Sequence, residues 1–286
     1  MILITGATGN VGGHLLEQLC ERSVPVRALV RSQERADTLR GYDCDIAVGT
    51  YEDAASLHRA LAGVDRLFLL SPASEHMADQ EKAVVDAAAA AHGQVEVVKV
   101  AAAGVEQGGI ALLEQHRTVI DHLAASGLPT TVLAPSSFMQ NLLGYAGQIT
   151  ETGTFAAAGG GAAISHVDTR DVAAVAAHVL TSDGHAGATY TITGPEALTY
   201  ARVAEHFTVA LGRPVRHVEI SSQQARESMA GAGMPVWLAD ALAELSELQS
   251  TGAAAGTTDE VLKATGRPAR SFEAFLTDHG AAFRSV

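Results

Sequence analysis

Seven residues near the start of the chain, Gly6-Ala7-Thr8-Gly9-Asn10-Val11-Gly12, constrain its fold more than any other stretch. They follow the apolar run Met1 to Ile4 and lead into a segment in which Val11, Leu15 and Leu19 share one helical face. A strand that ends in a glycine-rich turn and feeds a helix gathers free backbone N–H groups and a positive helix end at one point, where a pyrophosphate binds. The spacing here is Gly-x-x-Gly-x-x-Gly. Such a turn calls for a second strand carrying a ribose-recognition residue about 20 residues further on. Residues 25–30 supply that strand, and Arg31 stands at its end. Where an acid would accept from a ribose 2′-OH, a guanidinium offers a paired, charge-assisted contact to a 2′-phosphate. NADP(H) is therefore favoured, with NAD(H) as second choice; the competing reading of Arg31 is a solvated loop cation.

The alternation continues with strands expected at 45–48, 66–70, 95–100 and 130–133 and helices at 56–61, 77–91 and 113–125. Short apolar strands separated by helices predict an α/β fold, a Rossmann-type doubly wound parallel sheet. Ligands of such sheets bind beyond the carboxyl ends of the strands, which singles out the loops after Ile4, Val30, Val48, Leu70, Val100 and Leu133. Beyond Pro135 the alternation weakens. A Gly/Ala-rich loop is expected at 153–163, a helix at 169–180, and strands at 189–193 and 215–220 among helices. The expected organisation is a dinucleotide-binding domain over 1–150, with 166–194 returning to it. A smaller, mostly helical, substrate-side lobe follows over 195–286, interleaved with it.

Composition removes several function classes. A formal charge of −13 is unsuited to a phosphate-backbone partner, so no nucleic acid is expected. The longest stretch free of Asp, Glu, Lys and Arg, His122 to Thr150, is interrupted by Pro129, Pro135, Gln140 and Asn141, so no membrane span is expected. Met1 already enters the first strand, which leaves no room for a leader and makes the cytoplasm the expected compartment. Cys20 and Cys44 read as free thiols, and the scattered histidines, His166 and His178 included, have no ligand spacing; no metal is expected. A homodimer is allowed.

Beyond the glycine turn, many segments carry a resemblance: Leu29-Val30-Arg31-Ser32, Ala60-Leu61-Ala62-Gly63-Val64-Asp65, and Leu69-Leu70-Ser71-Pro72. His116 belongs with Ser126-Gly127-Leu128-Pro129-Thr130-Thr131-Val132-Leu133, and Pro135 with Phe138-Met139-Gln140-Asn141. Further on come Val167-Asp168-Thr169-Arg170-Asp171-Val172, Thr193-Gly194-Pro195-Glu196 and Thr265-Gly266-Arg267-Pro268. On these residues the chain resembles, nearly end to end, NmrA-like members of the atypical short-chain dehydrogenases, in particular their bacterial NAD(P)H:quinone reductases. The resemblance implies cofactor contacts from Gly6, Thr8, Gly9, Asn10, Val11, Arg31, Leu70, Ser71 and Pro72, with Pro135 and Phe138 near the nicotinamide. Departures include Ala101-Ala102 where many relatives have Ser-Ser, and Thr50 where an Asp is usual.

Neither the Tyr-x-x-x-Lys pair of ordinary short-chain enzymes nor a lysine in the helix His116-Arg117-Thr118-Val119-Ile120-Asp121 is present. Reducing an isolated ketone needs a strong proton donor at the alkoxide. A quinone yields a far less basic hydroquinone anion, so the expected activity is NADPH-dependent hydride transfer to a quinone or polycyclic aromatic quinone. An extension is O₂-dependent hydroxylation of a reduced polyketide quinone. The alternative is an NmrA-like NADP(H) redox sensor without turnover. His116 is the expected proton donor or substrate hydrogen-bonder. Phe138, Met139, Asn141 and Trp237 are the expected acceptor contacts. Each has a structural counterpart: a helix histidine for His116, core packing for Phe138, packing between lobes for Trp237. Asp168 and Asp171 read as structural.

Overall fold

In the computed structural model the described residues are 1–91 and 94–284. The chain opens with β1 (Ile2–Ile4), α1 (Asn10–Glu21), β2 (Val26–Val30), α2 (Gln33–Asp37), β3 (Asp45–Val48), α3 (Ala54–Leu61) and β4 (Arg66–Leu69). It continues through α4 (Met77–Ala89), β5 (Glu96–Val100), α5 (Ala111–Ser126) and β6 (Thr130–Pro135). After a 3₁₀ segment, Met139–Tyr145, come α6 (Ala146–Thr152), β7 (Thr154–Ala157), α7 (Thr169–Thr181) and β8 (Thr189–Ile192). The remainder is α8 (Tyr200–Leu211), β9 (Arg216–Glu219), α9 (Ser222–Gly231), α10 (Val236–Ser250), α11 (Glu260–Thr265), α12 (Phe272–His279) and a 3₁₀ turn, Gly280–Phe283.

Seven strands form one sheet in the order β3-β2-β1-β4-β5-β6-β8, and the five pairings from β3 through to β6 are all parallel. The order reverses at β1, which lies between β2 and β4. Helices cover such a sheet on both faces, so its central strands carry almost unbroken apolar runs. Ile2, Leu3, Ile4, Leu67, Phe68, Leu69, Val97, Val98 and Val100 are all buried. The expected Rossmann-type sheet is what the chain builds.

The chain divides into two compact units. The first comprises Met1–Gly108, Leu113–Ala134 and Val172–Thr191 and holds nearly all of the large sheet. The second comprises Gly109–Leu112, Pro135–Asp171 and Ile192–Val286. Its core is aromatic: Phe155, Phe207, Phe272, Phe275 and Phe283 are fully buried, with rings in edge-on and stacked contact. The stretch expected as a loop, 153–163, contains β7, which pairs in parallel with β9 from Thr154↔Arg216 to Ala157↔Glu219.

Candidate active site

The site begins where the sheet order reverses. Loops leaving the carboxyl ends of neighbouring strands diverge there and open a crevice. The two loops that border it are Thr5–Gly9 after β1 and Leu70–Pro72 after β4. Buried Thr5 ties them together: its Oγ1 donates to the carbonyls of Phe68 (3.1 Å) and Leu70 (2.9 Å) and accepts from the Leu70 N–H (2.8 Å). Gly6 follows at φ +66, and a Cβ on it would lie 2.7 Å from the Leu70 carbonyl oxygen. Only glycine supplies both that left-handed backbone and that close approach.

The turn closes with the Gly9 N–H donating to the Gly6 carbonyl at 2.9 Å. Gly9 is the N-cap of α1, no side chain caps the helix, and its first turn holds no acid. Helix starts are normally capped, because their first N–H groups have no intrahelical partner. Left uncapped at a crevice, they form a positive cradle suited to a pyrophosphate. Gly12 packs α1 onto the loop so tightly that a Cβ would sit 2.2 Å from the Gly6 oxygen. Thr8, Gly9 and Asn10 are exposed at this end, whereas Val11 anchors the helix in the core. Arg31 follows β2, whose Ala28 pairs with Ile4 of β1. It is exposed and makes no ion pair among the described residues, which leaves its guanidinium free for an anionic group. These residues fit an NADP(H) pyrophosphate and 2′-phosphate.

Beneath the second loop runs a buried polar chain. The Ser71 N–H and Oγ both donate to Oε1 of Glu81, on α4, at 3.0 and 2.9 Å. The other carboxylate oxygen pairs with Nζ of Lys99 at 2.6 Å, and both side chains are wholly inaccessible. Lys99 lies on β5 opposite Leu69 and Val132. Its Nζ also donates to the Val100 carbonyl and lies 3.2 Å from Nδ1 of His116. α5 begins at Ala111, so His116 is on the helix's second turn, buried. Burial, then the Lys99 charge, hold its pKa well below the usual histidine value. Burial also lowers Lys99, against the raising effect of Glu81.

The protonation states follow from the donors present. Glu81 accepts two hydrogen bonds through Oε1, both from Ser71, and meets Lys99 through Oε2 as an ion pair. A lysine ammonium can only donate, and Nζ of Lys99 faces His116 Nδ1 as well as Glu81 and the Val100 carbonyl. Nδ1 therefore accepts, and the single imidazole proton resides on Nε2. Ser71 and His116, two residues singled out in the sequence, thus stand at opposite ends of one chain. Its middle members, Glu81 and Lys99, were not singled out. The available signal was a lone lysine in the apolar run 95–100: a strand buried on both faces offers a charge no solvent and demands a carboxylate partner.

The remaining sequence candidates belong to the second unit. Pro135 ends β6 and is buried; Phe138 is half-buried and forms an isolated bridge with Val167. Met139 is 2% exposed within the aromatic core. Asn141 is exposed, and Trp237 is half-buried on the first turn of α10. Asp168 is buried in a network with Gln140 and Arg170, which reaches Asp278, and Asp171 pairs with Arg270. Both acids hold the backbone around the start of α7. His166 is buried with neither ring nitrogen hydrogen-bonded, and burial pushes its pKa down to about 4. Among the described residues Glu196, His206 and Glu273 come near enough to share a cation, a grouping that their sequence spacing conceals.

Known proteins resemble this chain nearly end to end. The profile of the NmrA-like family matches residues 1–276. The chain is 38% identical over 283 residues to the NAD(P)H azoreductase of Xenophilus azovorans, an alignment covering 99% of each. The NADPH-dependent quinone oxidoreductase QOR2 of Escherichia coli, solved with NADPH, superposes with a TM-score of 0.89 at 29% identity, over 97% of this chain and 99% of that one. The triphenylmethane reductase of a Citrobacter species, solved with NADP(H), gives 0.87 at 26% identity, again over 97% and 99%. Among the described residues no helix is long and apolar enough to cross a membrane.

Proposed function

The chain belongs to the NmrA-like family, and from that premise we propose that it passes hydride from NADPH to a quinone or polycyclic aromatic quinone. At the coarser level it is an NAD(P)H-dependent oxidoreductase of the quinone- and dye-reducing kind. One observation carries the cofactor half: an uncapped helix start packed through Gly12 against the turn after β1, which Gly6 seats against the loop after β4, with Arg31, unpaired among the described residues, beyond the neighbouring strand. Bound there, NADPH supplies the hydride. The chain's own residues supply the rest.

The acceptor half follows from His116. As a neutral imidazole with its proton on Nε2, it donates a hydrogen bond without bringing a charge to the site. That suits an acceptor already activated by conjugation, whose reduced oxyanion is weakly basic, and suits an isolated ketone poorly. The missing Tyr-x-x-x-Lys pattern supports the same choice. Phe138, Met139, Asn141 and Trp237 are the acceptor-side candidates; alanine at each tests them through the KM for quinone. A polyphenolic quinone reduced in this way becomes an electron-rich ring that reacts with O₂, which extends the proposal to hydroxylation of an aromatic polyketide.

Purified protein, NADPH and a panel of benzo-, naphtho- and anthraquinones provide the test, with NADPH absorbance and dissolved oxygen followed together. Protein-dependent NADPH loss under anaerobic conditions supports a quinone reductase. No loss with any member of the panel contradicts it. Oxygen uptake that leaves labelled oxygen in the product supports the hydroxylation; uptake explained wholly by redox cycling removes it.

A further inference from the structure

We propose that Lys99, fixed by Glu81, is the positioning residue that locks His116 as an Nε2–H donor and restores its proton during turnover; the inference rests on the quinone-reductase reading above. Three observations converge on it, together with the role proposed above for His116. Lys99 is wholly buried in the central sheet, a placement that stability does not favour, since an apolar residue there is usually as good or better. Its Nζ pairs with Glu81, donates to the Val100 carbonyl and lies 3.2 Å from His116 Nδ1. Glu81 joins that ammonium to Ser71, on the loop bordering the phosphate turn. The imidazole joined to Lys99 belongs to the chain's expected proton donor.

Hydride reaching a quinone leaves a negative charge on its oxygen. The Nε2–H bond of His116 breaks as the new O–H bond forms, and an Nδ1–H bond forms as one Nζ–H bond of Lys99 breaks. No electrons move beyond the hydride pair, and Lys99 is left as a neutral amine accepting from Nδ1–H. Once product has gone, a water proton enters at Nε2 and the same shifts in reverse restore the ammonium. The net proton comes from water.

Energetics select this two-residue device over His116 alone. A neutral imidazole is far too weak an acid to protonate a hydroquinone anion without help. A lysine ammonium titrates at about 10.4 in water and a phenol at about 10, and burial lowers Lys99 from its ordinary value. The coupled pair therefore offers the proton of an ammonium that burial makes more acidic than a free lysine. An azo acceptor needs a proton in the same way. A cationic triphenylmethane dye does not, because hydride alone converts it to the neutral leuco form.

That contrast supplies the experiment. The double variant Glu81→Gln/Lys99→Met removes both charges together, so neither is left buried and unpaired, and its fold is checked by circular dichroism and NADPH affinity. Anaerobic kcat is measured for menadione and for crystal violet. The expected result is a fall of at least about 100-fold for the quinone, the scale of general acid catalysis, with KM for NADPH unchanged and crystal violet falling less than about threefold. Equal falls for both acceptors, or no fall for the quinone, overturn the inference. Nitrogen-15 NMR of the histidine side chains in wild type reads the tautomer directly. Nδ1 of His116 unprotonated supports the assignment, and a protonated Nδ1 contradicts it, whatever the activity. Wild type that reduces no quinone at all contradicts the functional reading instead and leaves the NMR test of the tautomer standing.

Discussion

Two adjacent glycines should respond to the same substitution with opposite signs. Gly12→Ala places a Cβ 2.2 Å from the Gly6 oxygen and 2.7 Å from the Gly6 carbonyl carbon. Both are backbone atoms, so no side chain can move aside and the phosphate turn itself must shift. Overpacking typically costs about 1–3 kcal/mol, and the helical advantage of alanine, about 0.8–1.0 kcal/mol, offsets only part of it. Gly13→Ala, one residue later in the same helix, meets nothing nearer than the Ala7 oxygen at 3.6 Å, an ordinary contact. It should gain most of that ~0.8–1.0 kcal/mol. In a chain of this size a kilocalorie moves Tm by roughly 2–4 °C. Thermal melts should therefore show Gly13→Ala above wild type and Gly12→Ala several degrees below it. Calorimetric titration should show NADPH binding weakened in Gly12→Ala alone. Gly12→Ala that melts with or above wild type and binds NADPH normally refutes the tight cradle.

Further outcomes follow from the same structure. Arg31→Asp should weaken NADPH about 10- to 100-fold, the value of a charged hydrogen-bonded contact, and NADH far less; equal losses in fluorescence titrations remove the 2′-phosphate role. Lys99→Met alone leaves the Glu81 carboxylate buried and unpaired and should lose about 3–5 kcal/mol in urea unfolding, much of it recovered when Glu81→Gln is added; a single variant as stable as wild type contradicts the buried ion pair. His166 is neutral when folded, with its pKa down at about 4. The unfolded chain protonates first, so this contribution is complete above the ordinary histidine value and lost as pH falls from there towards 4. About 3 kcal/mol is at stake, and His166→Leu should flatten urea stability across that window; an unchanged slope shows that His166 does not titrate as described.

Legibility in the sequence varied with how local the cause was. The strands from β1 to β6 are apolar runs bounded by turns, and each was expected within two residues of where it forms. The glycine turn was legible because its residues create the site by themselves. α2 escaped notice, since five residues such as Gln33–Asp37 carry no periodicity. β7 escaped because Thr154–Ala157 is stabilised by a partner about 60 residues away, in β9, and reads in isolation as a Gly/Ala-rich loop. The polar chain was hidden for a related reason. Glu81 sits beside Asp79 and Lys82 on an alanine-rich helix and resembles a solvated acid; only the stacking of α4 on the sheet delivers it to Lys99. His116 was visible by type, but its tautomer is set by a strand 17 residues upstream.

Single turnover is the most direct measurement of the central claim. Protein saturated with NADPH is mixed with excess menadione in a stopped-flow instrument without oxygen, and bound NADPH fluorescence is followed. One exponential loss is expected, in proportion to protein, that slows when the transferring hydrogen of NADPH is deuterium. NADPH that stays bound and reduced after quinone is added contradicts it.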